Sequence, residues 1–431
     1  MQIHVVAPGQ SLYSIARTYS VTPEAIAQAN QLADIPYLVV GQALVIPITG
    51  QYYWVQPGDS LWSIGQRFGV APAELARING IPQTAPLTVG LRLYIPPGPR
   101  PRKEANAYVE PFGESVSANL LASAREAVPH LTYLAPFSYR VQRDGSLQAP
   151  PLDGLLQIAR EGGAVPMLVV TNLEEGGFSA SLGQAILNDQ AVQDRLLQEI
   201  QRLIRQMGFR DVHFDFEFLR PQDREAYNRF LRRAADLVHA EGALISTALA
   251  PKVSAEQAGQ WYEAHDYAFH GQTVDFVVLM TYEWGYSGGP PMAVSPIDQV
   301  RRVLDFALTQ MPAEKIMMGQ NLYGYDWTLP YRPGGEFARA ISPQEAIRIA
   351  AQRGVAIQFD ATAQAPFYRY VDPQGRTHEV WFEDARSIQA KFDLMRELGL
   401  RGISYWKLGL AFPQNWLLLE DNFTVVKRAA G

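Results

Sequence analysis

Apolar and polar positions follow two rhythms along this 431-residue chain. From about Asn106 onward, short apolar runs recur between stretches whose apolar residues fall at helical spacing. The runs are 107–109, 131–137, 165–170, 212–218, 244–249, 276–282, 316–323 and 402–406. Strand-like runs alternating with helical stretches predict parallel strands covered by helices, and eight of them predict an α/β fold, a closed (β/α)₈ TIM barrel over residues 106–431. The fourth run is the most informative. Asp211-Val212-His213-Phe214-Asp215-Phe216-Glu217-Phe218-Leu219 alternates, so that His213, Asp215 and Glu217 share one face and Val212, Phe214, Phe216 and Phe218 the other. Amphipathic stretches flank it at 192–207 and 223–240. The apolar face therefore packs on helices and the polar face points into the barrel, where side chains near C-terminal strand ends meet. Residues 357–383 break the rhythm: Phe367 to Val371, the turn Asp372-Pro373-Gln374-Gly375 and Thr377 to Phe382 predict a β-hairpin, part of a small α+β insertion between strands seven and eight. Its expected place is the face where the barrel's loops converge.

The first hundred residues carry the second rhythm, an internal repeat. Val6-Ala7-Pro8-Gly9-Gln10-Ser11-Leu12 returns as Val55-Gln56-Pro57-Gly58-Asp59-Ser60-Leu61, and the same offset carries Ile15 to Ile64, Asn30 to Asn79, Gly41 to Gly90 and Ile46-Pro47 to Ile95-Pro96. Each copy, at 2–48 and 51–97, predicts a strand, a Pro-Gly turn, a helix capped by Ser11 or Ser60, a second helix entered through Thr22-Pro23 or Ala71-Pro72, and a closing strand. A proline-rich linker is expected at 98–105. This βααβ unit resembles the LysM module over both copies, end to end. LysM modules bind glycans containing N-acetylglucosamine. The resemblance implies contacts through Gly9, Gln10, Ser11 and Leu12 with Asn30, Gln31 and Leu32, and through Gly58, Asp59, Ser60 and Leu61 with Asn79, Gly80 and Ile81. The same residues also suit turns, caps and a minimal core. Two tethered weak sites raise avidity through effective concentration.

Composition changes this picture by exclusion. A net charge of −6 without a dense basic cluster argues against a nucleic-acid partner. The chain has no cysteine, which removes disulfides, thiolate metal sites and cysteine nucleophiles. The N-terminus lacks the pattern of a Sec signal peptide and no apolar run is long enough to span a bilayer, so an extracytoplasmic destination requires another route or a processed chain. Candidate chemistry gathers at the strand ends: Tyr282 and Glu283 after the sixth, Tyr323, Tyr325, Asp326 and Trp327 after the seventh, Trp406 after the eighth. With Asp215 and Glu217 they describe an acidic pocket walled by aromatic rings. Such a pocket suits a sugar, whose apolar faces stack on rings while carboxylates do acid-base work.

These segments resemble glycoside hydrolase family 18, and within it the spore cortex-lytic N-acetylglucosaminidases of endospore-forming bacteria, over essentially the whole chain. The family motif is D-G-x-D/N-x-D-x-E. Aligned on Asp215 and Glu217, its first three fixed positions fall on Arg210, Asp211 and His213, so only the last two acids match. That departure concerns the carboxylate relay behind Asp215. The resemblance implies hydrolysis of β-1,4 bonds at N-acetylglucosamine in peptidoglycan, during spore germination, with retention and without metal or cofactor. Glu217 is the implied acid-base, Asp215 orients the acetamido group, Tyr282 donates to its oxygen and Trp406 floors the pocket. His213, Glu283, Tyr323, Tyr325, Asp326 and Trp327 are expected to contact substrate. The implied location is the spore coat and cortex region or the cell wall. A chitinase or chitooligosaccharidase, and an inactive glycan-binding wall protein on the same barrel, remain open alternatives, as does the oligomeric state.

Overall fold

The computed structural model describes residues 1–84 and 86–428. Eight parallel strands form its centre: β1 (Arg102–Val109), β2 (Tyr133–Pro136), β3 (Val165–Thr171), β4 (Asp211–Asp215), β5 (Leu244–Leu249), β6 (Phe276–Leu279), β7 (Ile316–Asn321) and β8 (Gly402–Trp406). Each pairs with the next, and β8 pairs with β1, so the barrel closes. Closure leaves no open edge among these strands. The outward apolar face of β4 behaves as its alternation predicts: Phe214 and Phe216 are buried against Phe230 and Tyr227 of the helix Arg224–Ala240.

Three boundaries differ from expectation. The first strand begins at Arg102, inside the expected linker, because its charges are answered in the fold. Glu104 accepts from Arg401 at 2.7 Å and from Arg428, while Thr424–Val425 pairs with Arg102 and Lys103. The fourth strand stops at Asp215, and Phe216 to Leu219 leave the sheet to reach the next helix. Phe218 takes a left-handed φ of 52° and is 41% exposed instead of joining the apolar face. The insertion is larger than a hairpin. It is a five-stranded antiparallel sheet ordered Arg339–Ile341, Gly324–Thr328, Thr377–Trp381, Ala365–Val371, Gln358–Asp360, covered by the helix Pro343–Arg353. Its outer strands are three residues long, too short to announce themselves by alternation, and its second strand continues the apolar run of β7 in sequence.

Both repeats fold as βααβ units, Gln2–Val5 pairing with Ala43–Ile46 and Gln51–Trp54 with Arg92–Ile95. Ser11 and Ser60 close capping boxes with Ser14 and Ser63. The first repeat is not a tethered bead. Val39 enters the core of the insertion, Ala43 and Val45 enter the main core, and Ile357 N–H donates to Val40 O at 2.9 Å. Gly41, at φ 84°, lies so close that a Cβ would sit 1.9 Å from Ile357 O. The second repeat joins the first through Gln2 and Tyr52, Arg92 and Thr18 O, and Tyr94 and Thr49 O.

Candidate active site

A cavity of about 670 Å³ opens at the C-terminal strand ends and is lined by Asp215, Glu217, Tyr282, Glu283, Tyr323, Tyr325 and Trp406, among others. These seven are the expected site residues that the barrel brings together. Glu217, just past β4, is fixed by its backbone: its N–H donates to Asn172 Oδ1 and its carbonyl accepts from Asn172 Nδ2, both at 2.9 Å. Its carboxyl accepts from the indole N–H of Trp261, whose ring stacks on Phe218 at 5.9 Å. Burial, the neighbouring Asp215 charge and, in opposition, the Trp261 donor leave the Glu217 carboxyl well above the usual range. Burial lifts Asp215 to about 7. Asp215 Oδ1 is buried with no hydrogen-bond partner.

Tyr282 enters the cavity over Gly319, where a Cβ would stand 2.8 Å from its ring and 2.4 Å from Leu279 O. Glu283 has a left-handed φ of 68° and its carboxylate accepts from the hydroxyls of Tyr323 and Tyr325. Burial raises the Glu283 carboxyl, and those two donors oppose it. Trp406 is wedged edge-on between Phe137 at 4.8 Å and Tyr108 at 5.4 Å. At the rim, Lys407 pairs with Glu110 and lies 4.7 Å from the Phe112 ring centroid, while Arg140 lines the cavity with an exposed side chain.

Three expected contacts lie elsewhere. His213 points into the barrel but sits below the cavity, fully buried between Tyr108 and Ser246. Asp326 faces the inside of the insertion sheet, where it accepts from Tyr370 at 2.7 Å and meets His378 Nδ1 at 2.8 Å. Trp327 is buried with its N–H on Gly289 O. The place of Asp326 follows from the strand Gly324–Thr328, whose alternation puts Tyr325 on the cavity side and Asp326 on the other, whereas Trp327 shares the face of Tyr325 and packs against that ring at 5.5 Å without lining the cavity. The expected hairpin strands, Ala365–Val371 and Thr377–Trp381, stand behind this strand, so the insertion walls the cavity through Tyr325 and Ala340 instead. Asn172, Tyr108 and Trp261 were not anticipated. Asn172 follows an unbroken apolar strand and Trp261 lies in a loop without period, so neither carries a pattern.

In the repeats, most of the expected glycan contacts serve the fold. Asn30 and Asn79 each bridge a helix end and the closing strand, Asn30 to Ile26 O and to Val45, Asn79 to Leu75 O and to Tyr94. Gln10 accepts from Ala7 N–H and contacts His4; Asp59 accepts from Gln56 N–H and Tyr53. Gly9, Gly58 and Gly80 are turn residues at positive φ, Ser11 and Ser60 are caps, and Leu61 and Ile81 belong to the second repeat's core. Leu12, Gln31 and Leu32 do line an open groove of about 490 Å³ with Pro36 to Leu38. Gln344 of the insertion donates to the carbonyls of Asn30 and Gln31 beside it, and Gln414 to Asn30 Oδ1.

Among the described residues no group of three or more His, Asp or Glu is arranged to hold a metal ion, and no helix is long and apolar enough to cross a membrane. Known proteins match nearly the whole chain. Residues 173–411 match the model of glycosyl hydrolases family 18, and residues 4–47 and 53–96 each match the LysM domain. The chain is 66% identical over 428 residues to the cortical fragment-lytic enzyme of Bacillus subtilis (strain 168), covering 99% of each. It is 53% identical to the enzyme of the same name from Bacillus anthracis, covering 99% of this chain and all of the relative. The crystal structure of the spore cortex-lytic enzyme SleL of Bacillus megaterium QM B1551 superposes with a TM-score of 0.92 at 54% identity, covering 99% of each chain.

Proposed function

The chain belongs to glycosyl hydrolases family 18 and carries two LysM domains, and from this premise we propose that it hydrolyses spore-cortex peptidoglycan at N-acetylglucosamine during germination, with Glu217 as acid-base. The observation that carries the chemistry is the pairing of Asp215 and Glu217, two buried carboxyls at one strand end with a tyrosine, Tyr282, on the same cavity. Two carboxyls so close in sequence on one side of the site do not flank a scissile bond as acid and nucleophile, which favours assistance by the substrate's own acetamido group. In that reading the acetamido oxygen attacks the anomeric carbon while Glu217 protonates the leaving oxygen. Water, deprotonated by Glu217, then opens the oxazolinium intermediate with retention. Asp215 accepts the acetamido N–H and Tyr282 donates to its oxygen as charge develops. Trp406 and the Tyr323–Tyr325 wall supply faces for the sugar ring.

The choice of cortex over chitin rests on the full-length relatives, which are named for cortical fragments and spore cortex. The location proposed is accordingly the spore cortex region, with the LysM pair holding the enzyme on its glycan. Parallel digestion of purified cortex, vegetative peptidoglycan and chitin, with new reducing ends identified by mass spectrometry, tests this. N-acetylglucosamine reducing ends from cortex are expected. Preferential release of chitooligosaccharides from chitin would favour the chitinase alternative.

A further inference from the structure

Among the charged side chains that line the cavity, Glu110, Asp215, Glu217 and Glu283 are acids, and the cations are Lys407 and Arg140. Lys407 is answered by Glu110. Arg140 is not: among the described residues no carboxylate lies within ion-pair distance of its guanidinium, and its side chain is exposed. A solvated surface arginine would be unremarkable on a loop, but this one stands on a fixed element. The short strand Tyr139–Val141 pairs Tyr139 with Val170 and Arg140 with Thr171 of β3, and Leu147–Gln148 pairs along its other edge. Tyr139 and Val141 are buried, Tyr139 against Phe209 at 5.8 Å, so strand alternation turns Arg140 to the opposite face, onto the cavity.

Arg140 also marks an exit. A second hollow of about 410 Å³ adjoins the cavity and shares Arg140 and Leu173 with it. The other charges of this hollow are Arg143, Glu174 and Glu175. Arg143 holds Glu174 through two bonds of 2.8 Å, and Glu174 also accepts from Ser179 at 2.8 Å. Glu175 is exposed at a turn, with a left-handed φ of 51°. The cation left uncommitted between the two hollows is therefore Arg140, at the side of the site formed by β2 and β3.

Chitin gives such a cation nothing to meet, because every residue of it is neutral. Peptidoglycan alternates N-acetylglucosamine with muramic acid, whose O3 carries a lactyl ether that ends in a carboxylate or in a short peptide with a carboxylate of its own. With N-acetylglucosamine in the cavity both neighbouring residues are muramic, whichever way the glycan runs. A neighbour leaving past β2 and β3 brings its O3 substituent to Arg140. We propose that Arg140 pairs with the carboxylate borne on O3 of the muramic residue beside the N-acetylglucosamine in the cavity, and so gives the site a preference for peptidoglycan over chitin. The proposal rests on the peptidoglycan reading above and makes Arg140 a specificity residue of that site. The planar guanidinium fork matches a carboxylate through two parallel N–H donors, which a lysine cannot reproduce. It also sets one attractive charge against four acids that would otherwise only repel an anionic glycan.

Esterification gives the test, since it removes the substrate's charge and leaves its sugars alone. Full-length parent and Arg140→Gln protein are compared on a tetrasaccharide of alternating N-acetylglucosamine and N-acetylmuramic acid, as the free lactyl acid and as its methyl ester, and on the same pair extended by one alanine. The parent is expected to favour acid over ester by about fivefold in kcat/KM, mainly through KM, as suits a partly exposed charge pair. That preference should shrink as salt is raised. Arg140→Gln should bring the ratio to about one, Arg140→Lys should restore part of it, and Arg140→Glu should invert it. A preference seen with the lactyl acid assigns the lactyl carboxylate as the partner, and one seen only after extension assigns the peptide carboxylate. A parent indifferent to esterification in both pairs, or a folded Arg140→Gln protein that keeps the parent's ratio, overturns the proposal while leaving peptidoglycan as substrate. A parent that cleaves neither acid nor ester yet cleaves oligomers of N-acetylglucosamine overturns the peptidoglycan reading itself, and this assignment with it.

Discussion

Glu217 shows how three neighbours set one proton. Burial and the Asp215 charge raise its carboxyl, while the Trp261 indole N–H favours the anion. An acid that must start protonated loses activity as pH rises through its pKa, so Glu217 sets the alkaline limb. Trp261→Phe keeps the ring but removes the donor, and is expected to move that limb to higher pH. Asp215→Asn removes the like charge and should move the limb of any residual activity to lower pH. Glu217→Gln should lose on the order of 10²–10⁴-fold or more in turnover while still binding oligosaccharide. A folded Glu217→Gln enzyme that cleaves cortex fragments near the parent rate would remove Glu217 from the proposed role. Stability should register the buried acids too. Asp211 is raised far above its unfolded range, so the native state binds the extra proton between about pH 4 and 8 and stability is lost as pH climbs through that window. Asp211→Asn removes the titration, and its melting temperature relative to the parent is expected to rise from pH 5 to pH 8.

Among the elements, strand spacing decides which side chains reach the cavity. Gly319 of β7 makes room for Tyr282, since a Cβ there would meet both that ring and Leu279 O of β6. Gly319→Ala must therefore displace Tyr282 or spread two strands, an overpacking that costs about 1–3 kcal/mol. We expect a lower melting temperature together with a disproportionate loss of kcat; a variant that melts early but turns over normally would separate the glycine from the tyrosine. The same geometry explains what the sequence made legible. Period-two alternation announced that Asp215 and Glu217 share a side because that face is polar and the other aromatic. The eight runs announced the barrel because parallel strands buried on both faces are continuously apolar. The insertion was legible only where a hairpin turn is spelled out at Asp372 to Gly375. Asp326 and Trp327 were misplaced with it, because a run that continues past β7 gives no sign that the chain has left the barrel for a second sheet. Likewise, Asn172 and Trp261 reach Glu217 from elements with no pattern of their own.

At the scale of the whole molecule, the two repeats look equivalent in sequence but are built in differently. Removing the first would uncover Val39, Ala43 and Val45 from cores they share with the barrel and insertion, and strip Gln344, Gln414 and Arg386 of bonds to Asn30, Gln31, Ala43 and Gly41. A truncation starting at Asn106 would also cut β1. Such a chain is expected to melt well below the parent, so a loss of glycan retention in it would not isolate binding. A single exposed side chain provides the cleaner test. Trp62 is 66% exposed on the first helix of the second repeat, and the repeat offset maps it onto Tyr13, 70% exposed in the first. The neighbouring residues repeated at the same offset serve caps and turns, whereas these two rings contribute little to either core and offer flat faces suited to stacking on a sugar. Trp62→Ala should lower the fraction sedimenting with insoluble peptidoglycan, and Tyr13→Ala with Trp62→Ala should lower it further, since two tethered weak sites multiply. Melting temperature and the rate on soluble fragments should stay at parent values. Retention of the double variant equal to the parent's would assign the holding of glycan to the Leu12–Leu32 groove or to the barrel itself.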